Sequence, residues 1–207
     1  MGTQKAIGGV GATGAQGGGL VRAILADKNG EFQARAISRD VNSEKARALA
    51  TAGAEVVTAD LDNPETLDRA FVGAFGAFCV TNFWEHFSPE REFVQAGNMA
   101  RAAKKAGIQH LIWSTLEDTR KQVPLSDDRM PTLMGKYKVP HFDAKGEADQ
   151  LFRDSGVPTT LLLTAFYCDN LIYFGAGPES GPDGKLAIAS PMGRQNLHGS
   201  TAEEVST

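Results

Sequence analysis

The chain predicts an α/β fold: a doubly wound parallel sheet with helices packed on its faces. Three observations point there. Apolar stretches alternate with amphipathic ones about six times along the 207 residues. Several of the apolar stretches are near-continuous, as suits strands buried on both faces. A glycine-rich turn stands at the first junction of strand and helix.

Residues 5–10 (KAIGGV) open as a weak strand, because Gly8 and Gly9 carry no side chain to pack. Leu20, Ala23 and Ile24 then recur at helical spacing within Gly17 to Ala26. Residues 32–38 alternate as a second strand, and Ser43 caps a helix running to Ala52. Residues 54–58 are short and β-branched, and Asn63-Pro64 starts a helix that ends near Phe71. The runs 74–81, 109–114 and 157–164 read as buried strands. Between them, Pro89 to Ala106 places Phe93, Ala96, Ala100 and Ala103 on one face and stops at Gly107. Phe142 to Asp154 turns Phe142, Leu151 and Phe152 toward a core and stops at Gly156. Gly175 to Gly184, with Pro182-Asp183-Gly184 as a turn, reads as loop, and Leu186 to Ala189 as a short strand.

Composition narrows the class. The chain is 42% hydrophobic and 22% charged, which excludes a disordered tail or a coiled coil. A net charge of −4 lacks the basic excess that a nucleic-acid surface needs. No apolar run reaches the ~20 residues of a membrane span, and the first nine residues hold no signal-peptide core. Cys79 and Cys168 form no C-x-x-C pair and read as free thiols in a reducing compartment. A cytoplasmic protein is expected, with entry to the nucleus if it acts as a regulator. His86, His110, His141 and His198 show no metal-ligand spacing with the cysteines, so no metal site is expected.

The turn Gly11-Ala12-Thr13-Gly14-Ala15-Gln16-Gly17 carries the strongest functional signal. Gly11 permits a tight turn, Gly14 lets backbone approach a pyrophosphate, and Gly17 lets the helix lie close to the sheet. The free amides and positive end of that helix then face the anion. This is the pattern of a Rossmann-type dinucleotide site. The second strand ends Ile37-Ser38-Arg39-Asp40. Arg39 is placed to pair with a 2′-phosphate, which favours NADP(H); Asp40 pointing at the ribose would favour NAD(H) instead. An exposed Arg39–Asp40 pair is the plain alternative.

Four stretches together resemble the NmrA-like family, atypical relatives of the short-chain dehydrogenases. They are Gly11 to Gly18, Val80 to Glu85, Val139 to Lys145 and Phe166 to Asn170, in order and at fitting spacing. The resemblance implies a Rossmann domain that binds NADP(H), in a family that spans redox-sensing regulators of protein partners and active reductases. It implies that Arg39 meets the 2′-phosphate and that Leu61 and Asp62 line the adenine. It places Asn82, Phe83 and Trp84 beside the nicotinamide and Lys145 at its ribose. Phe166, Tyr167, Cys168 and Asp169 would edge the pocket. Relatives carry bulky residues where Gly8-Gly9 stand, so a loosely packed first strand is expected. Relatives also continue beyond the equivalent of Thr207 into a substrate lobe, with Thr201 to Val205 resembling the start of its next helix. The expected division is therefore a dinucleotide-binding domain over 1–165 and the partial, truncated start of a C-terminal substrate or partner lobe over 166–207.

The catalytic pair Tyr-x-x-x-Lys is absent; His141 stands four residues before Lys145. His141 could serve as the acid with Lys145 beside it, or it could simply pack at a helix start while Lys145 holds the ribose. Ser114 ends a strand where a hydroxyl could orient a carbonyl or cap a turn. Asn82 to Phe87 is aromatic-dense and could stack on a nicotinamide or anchor a loop. Arg120-Lys121 and Lys104-Lys105 read as solvated faces. The sequence favours an NADP(H) sensor acting on a protein partner. An NADPH-dependent reductase of a small carbonyl or quinone-like substrate is the alternative, and an inactive truncated relative is a third reading.

Overall fold

The computed structural model describes residues 4–173, 175, 177–188, 198–202 and 204–206. Its centre is a six-stranded parallel sheet: β1 (Lys5–Val10), β2 (Phe32–Ser38), β3 (Glu55–Thr58), β4 (Gly76–Cys79), β5 (His110–Thr115) and β6 (Thr159–Leu163). The order across the sheet is β3-β2-β1-β4-β5-β6. Winding therefore reverses between β1 and β4, and a crevice opens there beyond the carboxyl ends of the strands.

The crossovers are α1 (Ala15–Ala26), α2 (Glu44–Thr51), α3 (Pro64–Phe71), α4 (Pro89–Ala106) and α5 (Pro140–Ser155). Right-handed crossovers put α1 and α2 on one face and α3, α4 and α5 on the other. The latter three pack in a row, α3 on α4 and α4 on α5. Helix ends follow local chemistry. The Ser88 hydroxyl accepts the Arg91 amide at 3.1 Å to cap α4, and Ser43 does the same for Ala46 at 3.3 Å to cap α2. Gly107 and Gly156 close α4 and α5 at φ +70° and +77°. Asn63 precedes α3 but makes no side-chain cap bond; Pro64 alone sets that start.

The main core lies between the sheet and α3–α5, where Trp113 stacks on Phe152 and Phe71, Leu111 and Met99 are buried. Gly8 and Gly9 correct the expectation of a slack first strand. A Cβ on Gly8 would stand 3.2 Å from Ile37 Cδ1, and one on Gly9 3.5 Å from Val21 Cγ2. Larger neighbours already stand close to both, and Gly8 to Val10 are buried at the centre of the sheet, while Lys5 is exposed and Ala6 and Ile7 are half-buried.

The run 157–164 also departs from expectation. β6 is an edge strand with Thr160 and Leu163 exposed, not a strand buried on both faces. The reason lies in the winding: α1 and α2 serve the β1–β3 half, and no helix among the described residues lies over β4–β6 on that side. An open cleft of about 400 Å³ remains there, lined by Ile7, Leu20, Phe32, Phe75, Phe78 and Ile112.

Beyond the sheet, β7 (Phe166–Tyr167) leads into the short α6 (Asn170–Tyr173). The stretch read as pure loop contains β8 (Glu179–Ser180), which pairs antiparallel with β9 (Leu186–Ala187) around the Pro182-Asp183-Gly184 turn. Ala189 lies outside the described residues. A parallel partner for β7 comes from β10 (Gly199–Ser200). Glu204–Ser206 form a single 3-10 turn packed on α1, where a helix start was expected; Glu203 lies outside the described residues.

Candidate functional site

The site is built on the turn that joins β1 to α1. Gly11 adopts φ +65°, a conformation open to glycine, and the Gly14 amide donates to its carbonyl at 2.8 Å. Gly14 is the N-cap residue of α1 and offers no side-chain cap. The leading amides of α1 are therefore left facing the crevice, with the positive end of the helix behind them. Gly17 fixes how close the helix can come. A Cβ there would stand 2.3 Å from the Val10 carbonyl oxygen and 2.6 Å from that of Gly11, both closer than atoms can pack. Gly11, Gly14 and Ala15 are exposed at the rim, whereas Ala12 is buried and Thr13 half-buried behind them. A cradle of bare amides that a single Cβ would jam fits a pyrophosphate.

Arg39 is exposed at the end of β2. Its guanidinium does not pair with Asp40 but with Glu85, in the 3-10 turn Phe83–Glu85 that follows β4. Asp40 instead accepts the Asn42 amide at 2.8 Å, and Ser38 donates its hydroxyl hydrogen to the Asp40 carbonyl at 3.2 Å. Asp62 is gripped by Arg91 and accepts from Gln95 at 3.1 Å, and the Leu61 carbonyl accepts from Asn98 at 2.7 Å. The Arg91 hydrogen bonds hold the Asp62 carboxyl below its usual range. The loop after β3 is thereby fastened to α4, and the Asp62 carboxylate has partners of its own.

The other end of the crevice is aromatic. Phe83 is buried and anchors the turn, while Trp84 and Asn82 are exposed beside it. His141, in the first turn of α5, lies 4.7 Å from Trp84 and 5.6 Å from Phe83, ring centre to ring centre. Burial pulls the His141 pKa below the ordinary histidine value.

Lys145 sits one helical turn further along α5 and is buried. Its ammonium donates to the Thr81 hydroxyl at 2.7 Å and the Thr81 carbonyl at 3.2 Å, and lies 3.1 Å from Glu92 Oε1. It also hangs over the Trp113 ring at 4.8 Å. Burial lowers the Lys145 pKa, while the Glu92 charge opposes that shift. Glu92 is wholly buried on α4; its second oxygen lies 3.6 Å from His86 Nε2, and neither of those two atoms has a hydrogen-bond partner.

A second polar chain links the turn to β7. The Ser114 hydroxyl donates to Gln16 Oε1 at 2.7 Å, and Gln16 Nε2 donates to the Tyr167 hydroxyl. Burial raises the Tyr167 pKa, so the phenol holds its proton. Ser114, Gln16 and Tyr167 thus meet at the carboxyl ends of β5 and β7. Phe166 pairs with Gly199 across β7 and β10, and Cys168 is a half-buried free thiol. Asp169 points elsewhere and accepts the Ala202 amide at 2.9 Å. Arg120, read as solvated, is largely enclosed between Asp118 and Glu147. Among the described residues no cluster of His, Cys, Asp and Glu could hold a metal ion.

Thr81, Glu85 and His86 lay in stretches the sequence had singled out but were given no role of their own, and Glu92 was not picked out at all. Glu92 left a signal: it shares the stripe of Ala96, Met99 and Ala103, a charge on an otherwise apolar helix face.

Comparison with known proteins agrees with this geometry. The profile of the NmrA-like family matches residues 3–205. The chain belongs to the NmrA-like family. An NmrA-like oxidoreductase from Cladobotryum sp, FrzB, is 37% identical over 181 residues, covering 83% of this chain and 49% of the relative. The crystal structure of NmrA, a negative transcriptional regulator, superposes with a TM-score of 0.77 at 27% identity, covering 98% of this chain and 60% of that one. NmrA has also been solved in complex with NADP and with NAD. Triphenylmethane reductase of Citrobacter sp., complexed with NADP(H), matches with a TM-score of 0.64 at 27% identity, over 82% of this chain and 52% of that one. The chain thus spans about half the length of the curated NmrA-like relatives it matches. Among its described residues no helix is long and apolar enough to cross a membrane.

Proposed function

We propose that this NmrA-like chain binds NADP(H) along the crevice and reports the bound state to a protein partner, as a cofactor sensor. The observation that carries cofactor binding is the Gly17 contact, which brings uncapped amides of α1 to the switch point of the sheet. Arg39 would take the 2′-phosphate, and the turn from Gly11 to Gly17 the diphosphate. Asn82, Phe83 and Trp84 would flank the nicotinamide, with Lys145 behind them.

Sensing is favoured over proton chemistry by the state of Lys145. Its hydrogens are already directed at Thr81 and Glu92 inside the protein, and His141 is held among rings. Sensing requires the cofactor-bound and free forms to differ in affinity for the partner. Calorimetric titration is expected to show NADPH binding, and a quinone and aldehyde panel is expected to show no NADPH consumption. Turnover on that panel would overturn the sensor reading.

One observation favours a second reading, a reductase. A cleft of about 380 Å³ beside Thr119, Phe142, Leu163 and Thr164 is of a size for a small substrate. Bound NADPH would supply hydride. Tyr167, its phenol protonated and adjoining Thr164 of the cleft wall, would supply the proton. Loss of turnover in Tyr167→Phe, with NADPH affinity kept, would establish this reading.

A further inference from the structure

The Arg39–Glu85 pair joins residues that follow β2 and β4, two strands that are not neighbours. β1 lies between them, so the pair spans the crevice above the end of β1, over the rim of the glycine turn. The guanidinium that would grip a 2′-phosphate is thereby already occupied by a carboxylate from the opposite wall.

We infer that Glu85 is a specificity-determining residue, a carboxylate that holds the place of the 2′-phosphate on Arg39 and so sets the preference between NADP(H) and NAD(H). The inference rests on the crevice being a dinucleotide site. Carboxylate and phosphate present the same kind of oxygen acceptors to the guanidinium fork, so the two compete for one donor. NADP(H) must displace Glu85 before Arg39 can serve it. NAD(H), with no phosphate there, leaves the pair closed. Glu85 is carried by a firm base: Phe83 is buried, and its carbonyl takes the amides of His86 at 3.2 Å and Phe87 at 2.8 Å. The bridge is therefore a latch on Arg39, opened by one cofactor and left closed by the other.

The test is calorimetric titration of NADP⁺ and NAD⁺ into the wild-type protein, Glu85→Gln, Arg39→Ala and the double variant. Glu85 is exposed, so the Gln variant keeps the fold. In Glu85→Gln the NADP⁺ affinity is expected to rise roughly three- to tenfold, with NAD⁺ changing less than twofold. On the Arg39→Ala background the same substitution is expected to change nothing. An unaltered NADP⁺ to NAD⁺ ratio in Glu85→Gln, or a gain that survives without Arg39, would overturn the inference. A wild-type protein that binds neither dinucleotide overturns the reading of the crevice itself, and the wild-type titration alone tells that failure apart.

Discussion

Replacing Gly17 by alanine tests the cradle most directly. The new methyl would meet the carbonyl oxygens of Val10 and Gly11 at 2.3 and 2.6 Å, and both belong to backbone that no rotamer change can move. Ordinary contact is near 3.5 Å, so α1 must retreat from β1 by about 1 Å. Alanine gains about 1 kcal/mol of helix propensity over glycine, against roughly 1–3 kcal/mol for forcing volume into a packed contact. The fold should therefore lose no more than about 2 kcal/mol and survive. Binding suffers more, because a retreat of about 1 Å takes an amide out of hydrogen-bond range of a phosphate oxygen. One lost charge-assisted bond is worth roughly 1.5–3 kcal/mol, or about ten- to 150-fold in affinity. The assay pairs urea denaturation with calorimetric NADP⁺ titration. Gly97→Ala on α4 serves as control, since its methyl would touch only Leu151 Cδ1 at 3.5 Å. A Gly17→Ala protein that binds NADP⁺ within twofold of wild type would refute the packing argument.

Three more outcomes are expected. Glu92→Ala strips the buried Lys145 of its counter-charge and should cost about 3–5 kcal/mol in urea denaturation; a loss under 1 kcal/mol would show that the pair matters little. The His141 pKa is depressed in the folded state, so between that value and 6.5 the unfolded chain binds more protons. Stability should rise with pH across that window, and the rise should shrink in His141→Gln; identical pH profiles would contradict the burial of the ring. Ser88→Ala removes the cap of α4 and should cost about 1 kcal/mol. A melting temperature equal to that of wild type would contradict the cap.

Sequence carried the local signals well. The glycine spacing announced the turn, Ser43 and Asn63-Pro64 announced helix starts, and Gly107 and Gly156 announced helix ends, because each acts on backbone within a few residues. Contacts between distant segments were illegible. Nothing near Arg39 names Glu85 as its partner, 46 residues on. Nothing near Lys145 names Thr81, 64 residues back. Only folding brings the ends of β2, β4 and α5 to one rim. Burial of β6 was misread for a similar reason: an apolar run shows that a strand can be covered, not that a helix reaches it. Glu92 lay between these cases, visible as an odd charge on the apolar stripe but mute about what it meets.

The bare half of the sheet has a thermodynamic consequence. Ile7 and Ile112, both half-buried, front the open cleft beside α1. Whatever settles on that floor, and not on the unfolded chain, stabilises the fold by mass action in proportion to how fully it occupies the cleft.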